Sequence, residues 1–317
     1  MRVCLMIEGQ EDVTWEQWLA LAGACEEHGL EALFRSDHYE SVMGMRERGS
    51  LDAWTTLAAL AARTSRVRLG TLVSPATFRH PSVLAKSVAT VDHVSGGRVE
   101  LGLGAGWHEG EHRAYGFEFP ATPTRMALLA EQLEIITRSW TEDALTFQGR
   151  HYQVQDLRAL PKPVQRPRPT LLVGGGAGPK SLALAARFAD EYNTVGVPLE
   201  ELPERRRRLE DAWSEAGRDP GTARLSLMTT CVVGRDRAEV GERVGRVLAV
   251  TGSDDSVADV VDARPNWLLG TVDQVAERLA ALEAAGVCRV MLQHLDHADT
   301  EMVAVLGEVA ATMGSAP

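Results

Sequence analysis

Eight times along the chain a short apolar run ends in glycine or polar residues and gives way to a helical pattern. The runs are Val3–Ile7, Ala32–Phe34, Val67–Val73, Arg98–Leu103, Thr170–Val173, Tyr192–Val195, Leu225–Val233 and Cys288–Gln293. Their length suits buried strands, and the segments between them carry helical spacing, as at Trp15, Trp18, Leu19, Ala22 and Cys25. Thr14 is placed to cap that first helix and Gly29 to stop it. Pro81, Pro179 and Asp299 mark the starts of later helices. Strand-then-helix repetition implies a parallel sheet, and eight units close most naturally as an α/β fold of the (β/α)8 TIM-barrel type. An open doubly wound sheet has the same alternation and is the rival. The 317 residues are read as one barrel domain.

The rhythm is interrupted by segments at about 107–123, 141–169 and 251–267, read as insertions after strand four and near strands seven and eight. A long helix is expected from Arg125 to Trp140. Pro161, Pro163, Pro167 and Pro169 keep the second insertion out of any helix interior or central strand. It is expected to cover one end of the barrel.

The formal charge is 33 − 44 = −11. That argues against a general nucleic-acid or anionic-membrane binder, though not against one local anion site. Four cysteines, Cys4, Cys25, Cys231 and Cys288, form no CxxC pair, which suits a reduced compartment. The opening MRVCLMIEG lacks the form of a signal peptide, and no apolar stretch approaches the roughly 20 residues of a membrane span. A cytoplasmic protein acting on a small molecule is expected.

In a barrel the chemistry gathers past the C-terminal ends of the strands. Those positions hold Glu8, Asp37, His38, Val73, Ser74, Gly104 to His108, Gly174 to Gly178, Asn193, Gln293 and His294. Each alone is an ordinary loop residue; their convergence makes the rim the candidate site. His38 changes charge near neutral pH, and Asp37 can orient it or simply make a strand-end turn. Gly174–Gly178 leads into a helix whose first turn carries Lys180 and Ser181, which suits a phosphate or only a tight turn. It is no P-loop, because Pro179 stands where glycine is needed. Gly102, Gly104 and Gly106 miss the dinucleotide spacing and are better suited to close approach of a flat ring or of backbone. The string His108-Glu109-Gly110-Glu111-His112 matches the zinc motif HExxH, but it contains Gly110 and lacks a helical apolar pattern. No metal is expected. Arg205 to Arg208 are expected on a solvated helix face.

The strings SDH (Ser36–His38), GTLVSPATFRHP (Gly70–Pro81), VDHVSGGRVELGLGAGWHEGEH (Val91–His112), LPKPVQRPRP (Leu160–Pro169) and LLVGGGAGPKSLALAARFADEYN (Leu171–Asn193) occur in this order. Together they resemble the luciferase-like monooxygenase superfamily, and more narrowly its branch using coenzyme F420, an 8-hydroxy-5-deazaflavin. The resemblance runs to about residue 195 and is weaker beyond.

It implies a flavin-type ring at the barrel mouth, resting on a bulge with a non-proline cis peptide at Leu72–Val73. Thr71, Leu72 and Val73 would form that support, Gly104, Ala105 and Gly106 the ring edge, and Gly175, Gly176, Ala177 and Gly178 the phosphate loop, with Lys180 nearby. Lys180 and Arg79 are the candidates to balance the polyanionic tail. Asp37 and His38 match the pair that contacts ring or substrate, with His38 as general acid or polar clamp. Trp107, Trp54 and Glu8 would face the substrate, with further contacts from the loops at 39–50, 107–121 and 251–267. Relatives that oxidise a sugar phosphate carry an acid where this chain has Trp107, so that reaction is not expected. The reaction implied is hydride transfer between reduced F420 and a small organic substrate, reducing an activated C=C or C=N bond. An FMN-dependent monooxygenase and a non-catalytic flavin-binding barrel are the alternatives. A homodimer is implied by the same resemblance.

Overall fold

The computed structural model describes residues 1–45 and 47–314, with side chains throughout except at 261–263. Eight parallel strands form the barrel: β1 (Arg2–Ile7), β2 (Ala32–Arg35), β3 (Arg68–Thr71), β4 (Val99–Gly104), β5 (Thr170–Gly174), β6 (Glu191–Val195), β7 (Leu225–Gly234) and β8 (Val287–Gln293). Each pairs with the next, and β8 pairs back to β1 with Arg2 opposite Arg289 and Met6 opposite Gln293. The ring is closed, which removes the open doubly wound alternative.

The helices start and stop where local chemistry dictates. In α1 (Trp15–Glu27) the Thr14 hydroxyl accepts from the Gln17 N–H, and the Gln17 side chain accepts from the Thr14 N–H. Helix α2 is Ala53–Ala61 and is capped by Asp52. Helix α3 (Pro81–Ser95) opens on proline and closes on Gly96 at φ +66°. Then follow α4 (Glu109–Tyr115), α5 (Thr122–Thr141), α6 (Pro179–Phe188), α7 (Leu202–Glu215), α8 (Arg237–Thr251), α9 (Val257–Ala263), α10 (Val272–Ala284) and α11 (Thr300–Thr312). Among the described residues no helix is long and apolar enough to cross a membrane.

Strand alternation sorts side chains into two cores. Leu101, Leu103, Leu171, Val173, Val290 and Leu292 join the helices in the outer core. Cys4, Met6, Phe34, Leu72, Leu172 and Met291 form an inner cluster. Below it, toward the strand starts, Arg289 is buried with Glu100 and Glu191.

Three expectations change. Strand three stops at Thr71, because the chain bulges at Leu72–Val73 before Ser74–Pro75 pairs with β4. The second insertion meets a barrel end only at its close, where the Gln165 amide donates to the Val99 carbonyl at the start of β4 and accepts from Arg68. It forms an antiparallel hairpin, Leu145–Gln148 with Gln153–Leu157, and then a strap along the outside of α3 and α5. Its prolines offer no N–H groups for a ladder, so α3 side chains bond the strap. The Lys86 ammonium donates to the Leu160 carbonyl at 2.5 Å, and Asp92 accepts from the Gln165 N–H at 2.9 Å. The third insertion holds α9, and just past it Leu268–Thr271 is an unexpected strand paired to the end of β7.

Candidate active site

The C-terminal ends of the strands surround a cavity of about 550 Å³. Its floor is made by β3, β4 and β5. The Val73 side chain leans across the latter two, where side chains have been dispensed with. A Cβ on Gly104 would lie 2.7 Å from the Val73 Cγ2, and one on Gly174 would lie 2.9 Å from its Cγ1. A Cβ on Gly102 would collide with the Thr71 carbonyl and reach Val73 as well. These three glycines are therefore packing requirements of the bulge. The Leu72–Val73 peptide is cis. Gly106, at φ +78°, turns the chain away from β4.

One wall carries an ion pair. The His38 Nδ1 lies 2.8 Å from the Glu111 Oε2. The other carboxylate oxygen of Glu111 accepts the backbone N–H groups of Tyr39 and Glu40. Burial pulls the His38 pKa down, but the hydrogen bond and charge of Glu111, with the charges of Glu8 and Asp37, outweigh it and raise the pKa above its usual value. Glu111 is held below the usual carboxylate range, against its own burial, by the His38 hydrogen bond and charge and the two amides. With Nδ1 committed, Nε2 is the nitrogen left for the cavity. The His38 ring meets Trp107 edge-on at 5.5 Å, and Trp107 is 62% exposed at the mouth.

The next wall is a hydrogen-bonded belt. Glu8 accepts from the Gln293 amide at 2.6 Å and from the Gln10 amide at 2.9 Å. Gln10 accepts in turn from the Ser36 hydroxyl, and Gln293 from the Thr230 hydroxyl. Asn193 donates to the Ser226 hydroxyl at 2.9 Å. Val42, Met126, Leu129, Val195 and Met228 supply apolar lining.

Past Gly174–Gly176, the loop enters α6 with no side-chain cap on its first turn. Ala177 holds a left-handed φ of +55°, pinned by its N–H donating to the Tyr192 hydroxyl at 2.8 Å and its carbonyl accepting from Arg208. Gly176 and Gly178 have ordinary φ and open space around them, so the fold itself does not demand glycine there. Bare backbone beside an uncapped helix start fits an anionic ligand tail.

A model of the luciferase-like monooxygenase family matches residues 3–289. The chain belongs to this family. It is 31% identical over 303 residues to an F420-dependent glucose-6-phosphate dehydrogenase of Microbacterium testaceum, covering 89% of this chain and 88% of that one. It is 27% identical to an FMNH2-dependent dimethylsulfone monooxygenase of Pseudomonas putida, over 84% of this chain and 79% of the relative. Among solved structures, the monooxygenase RslO1 from Streptomyces bottropensis superposes with a TM-score of 0.83 at 26% identity, over 98% of both chains.

Within this luciferase-like barrel, His38, Glu8, Leu72, Val73, Gly104, Ala105, Gly106, Trp107, Gly175 and Gly176 line the cavity as the sequence suggested. Others do not. Asp37 is buried behind the wall, accepting from Arg79 at 2.6 Å and from Ser74 at 2.5 Å. Trp54 is buried too, its indole N–H donating to Ser74 at 3.1 Å. These two brace the bulge rather than face the cavity. Thr71 spends its hydroxyl on the Gly102 carbonyl. Arg79 is consumed by Asp37, Asp52 and Tyr39, so it adds nothing to a basic lining. Ala177, Gly178 and Lys180 do not line the cavity, Lys180 being exposed, whereas Ser181 does. Of the arginine run, Arg206 and Arg207 pair with acids on their own helix, but Arg205 turns inward to Thr194 and Arg208 to Ala177. Of the loops expected to touch substrate, 39–50 and 107–121 reach the cavity, and 251–267 does not among the described residues. Arg46 and the side chains of 261–263 lie outside them.

Glu111 is the residue that sequence reasoning missed. It belongs to the HExxH string, which is helical after all, as α4 with His108 at its N-cap. The His112 ring bonds the His108 carbonyl through Nδ1 and Thr77 through Nε2, and Glu111 faces His38. Among the described residues no group of three or more His, Cys, Asp or Glu is arranged to hold a metal ion.

Proposed function

We propose that the chain is an F420-dependent oxidoreductase that reduces an activated C=C or C=N bond of a small organic molecule, with His38 as the proton donor. The observation carrying this reading is the His38–Glu111 pair, which presents Nε2 to a cavity floored by glycines and Val73. The residues fit a flat ring over Val73 and Gly104 to Gly106, and an anionic tail over Gly174–Gly178. When bound, the reduced deazaflavin supplies a hydride. The protein's part is to hold the substrate, exclude water with Leu129, Met126 and Met228, and keep a proton on Nε2. Glu111 fixes the ring orientation and opposes loss of that proton. The fuller-length similarity to an F420-dependent relative supports the cofactor choice.

Glucose-6-phosphate is not the substrate in this reading. Among the described residues no lysine or arginine lines the cavity to meet a phosphate, and Trp107 replaces the expected acid. The second reading is an FMN-dependent monooxygenase, favoured by the Pseudomonas relative and by the RslO1 superposition. We further propose that the protein works in the cytosol as a homodimer; its four cysteines are free.

The test is a titration of the purified protein with F420 and FMN, followed by tryptophan fluorescence, for which exposed Trp107 is the reporter. Micromolar F420 binding at least tenfold tighter than FMN is expected. Tight FMN binding alone moves the protein to oxygen chemistry, and binding of neither overturns the reading.

A further inference from the structure

Resting on that reading, we infer that Glu8 selects a substrate whose nitrogen takes on positive charge in the cavity, an imine protonated there to its iminium, and so selects C=N over C=C. Among the described residues the cavity's ionisable lining is Glu8, Glu111 and His38, with His108 and His112 beside them, and no lysine or arginine. The arginines nearest the mouth are spent elsewhere: Arg79 on Asp37 and Asp52, Arg48 on Glu11, and Arg208 on the Ala177 carbonyl.

His38 and Glu111 cancel each other when the imidazole is protonated. Glu8 has no such partner: among the described residues no cationic group lies within ion-pair distance of it. It is only 7% exposed, and its partners are two neutral amides. Amides satisfy lone pairs without cancelling charge, and an ionised carboxylate offers about four acceptor sites, of which two are used here. A carboxylate held out of bulk water without a cation is costly, and a cationic ligand in the cavity relieves that cost. The carboxylate is also fixed in place, because Gln10 and Gln293 are themselves held by Ser36 and Thr230.

The chemistry is self-consistent with an imine. The His38 Nε2–H bond breaks as an N–H bond forms on the imine nitrogen, and the cation so made is paired by Glu8. The exposed face of Trp107 at the mouth favours the same charge.

The test compares benzylammonium with benzyl alcohol, matched in size, by calorimetry at pH 7 on wild type, Glu8→Gln and Glu8→Asp, with melting curves to show that each is folded. Wild type is expected to bind benzylammonium at least tenfold tighter than the alcohol. Glu8→Asp should keep that preference and Glu8→Gln should lose it. Equal binding of the two probes, no binding of the ammonium, or a preference that survives Glu8→Gln overturns the inference. The F420 titration on the same wild-type preparation separates the two ideas. Lost F420 binding with the ammonium preference intact overturns the proposed function and leaves Glu8 its role; the reverse outcome removes only the role of Glu8.

Discussion

His38 sits on the loop after β2, where burial acting alone would strip its proton; Glu111 reverses the balance. Replacing His38 by Gln is expected to lower kcat by about 10²–10⁴-fold if the ring donates the proton, measured in steady-state reduction assays. Glu111→Gln tests the pairing itself. Removing the negative charge lowers the His38 pKa, so the alkaline limb of the kcat profile moves to lower pH. Histidine resonances followed by NMR should show the same shift without any cofactor; an unmoved limb and resonance would defeat the pairing argument. The folded His38 pKa is raised, so the pair stabilises fully below the unfolded value of about 6.5 and the contribution fades as pH rises through the folded pKa. Glu111→Gln should therefore cost more stability at pH 6 than at pH 9. His38 was legible as a titratable residue at a strand end. Glu111 was not, because its string matched a metal motif and α4 carries no apolar stripe. Only the approach of two segments 73 residues apart gives it meaning. Asp37 and Trp54 misled for the opposite reason: position in the chain put them at the mouth, while their partners Arg79 and Ser74 draw them behind the wall.

The elements that build the floor are coupled through Val73. Gly104→Ala would set a methyl group 2.7 Å from the Val73 Cγ2, so one of the two must move. Overpacking of this kind costs about 1–3 kcal/mol, and here it also lifts the surface on which the ring is proposed to rest. The single variant is expected to melt lower and to lose most F420 affinity. Adding Val73→Ala should recover part of the melting temperature, and strict additivity in that double-mutant cycle would refute the contact. Gly102→Ala has no such rescue, because its methyl group meets the backbone of Thr71. The eight strand-helix units were legible because buried parallel strands leave continuous apolar runs and their helices carry ordinary caps. The hairpin at 145–157 and the strand at 268–271 were not. The first is largely solvent-facing and shows little apolar patterning, and the second is four residues long and owes its pairing to the last residues of β7, Cys231–Gly234, which run on past its pairing with β8.

Across the whole molecule the barrel interior changes character along its axis: cavity at the top, apolar cluster in the middle, ionic plug below. In the plug the Arg289 guanidinium donates to Glu100 at 2.8 and 3.1 Å and to Glu191 at 3.0 and 3.1 Å, and lies 5.2 Å over the Phe34 ring. Arg68 adds a second cation to Glu100. Burial would raise the Glu100 pKa, but Arg289 and Arg68 together bring it down to about 2. Burial, joined by the Glu100 charge, raises the Glu191 pKa despite Arg289 and despite Arg2 at 3.6 Å. Removing the arginine while keeping its bulk, as in Arg289→Met, leaves two carboxyl groups facing each other in a dry interior. Breaking a buried ion pair in this way costs about 3–5 kcal/mol, about 5–8 °C in melting temperature for a chain of this size. The pH dependence is the sharper test. In wild type the contribution of Glu100 is present above its unfolded pKa of about 4.5 and is lost as pH falls toward 2. In the variant neither carboxyl has Arg289 to depress it, so both take up protons at higher pH and the repulsion disappears sooner. The gap in melting temperature should thus be widest near pH 8 and shrink toward pH 5. A gap independent of pH would mean that Arg289 contributes packing rather than charge. Because the apolar layer of Met6, Phe34, Leu72, Leu172 and Met291 separates plug from cavity, the folded variant should bind F420 within about twofold of wild type. A large loss of affinity would show that the two ends of the barrel are coupled through that layer.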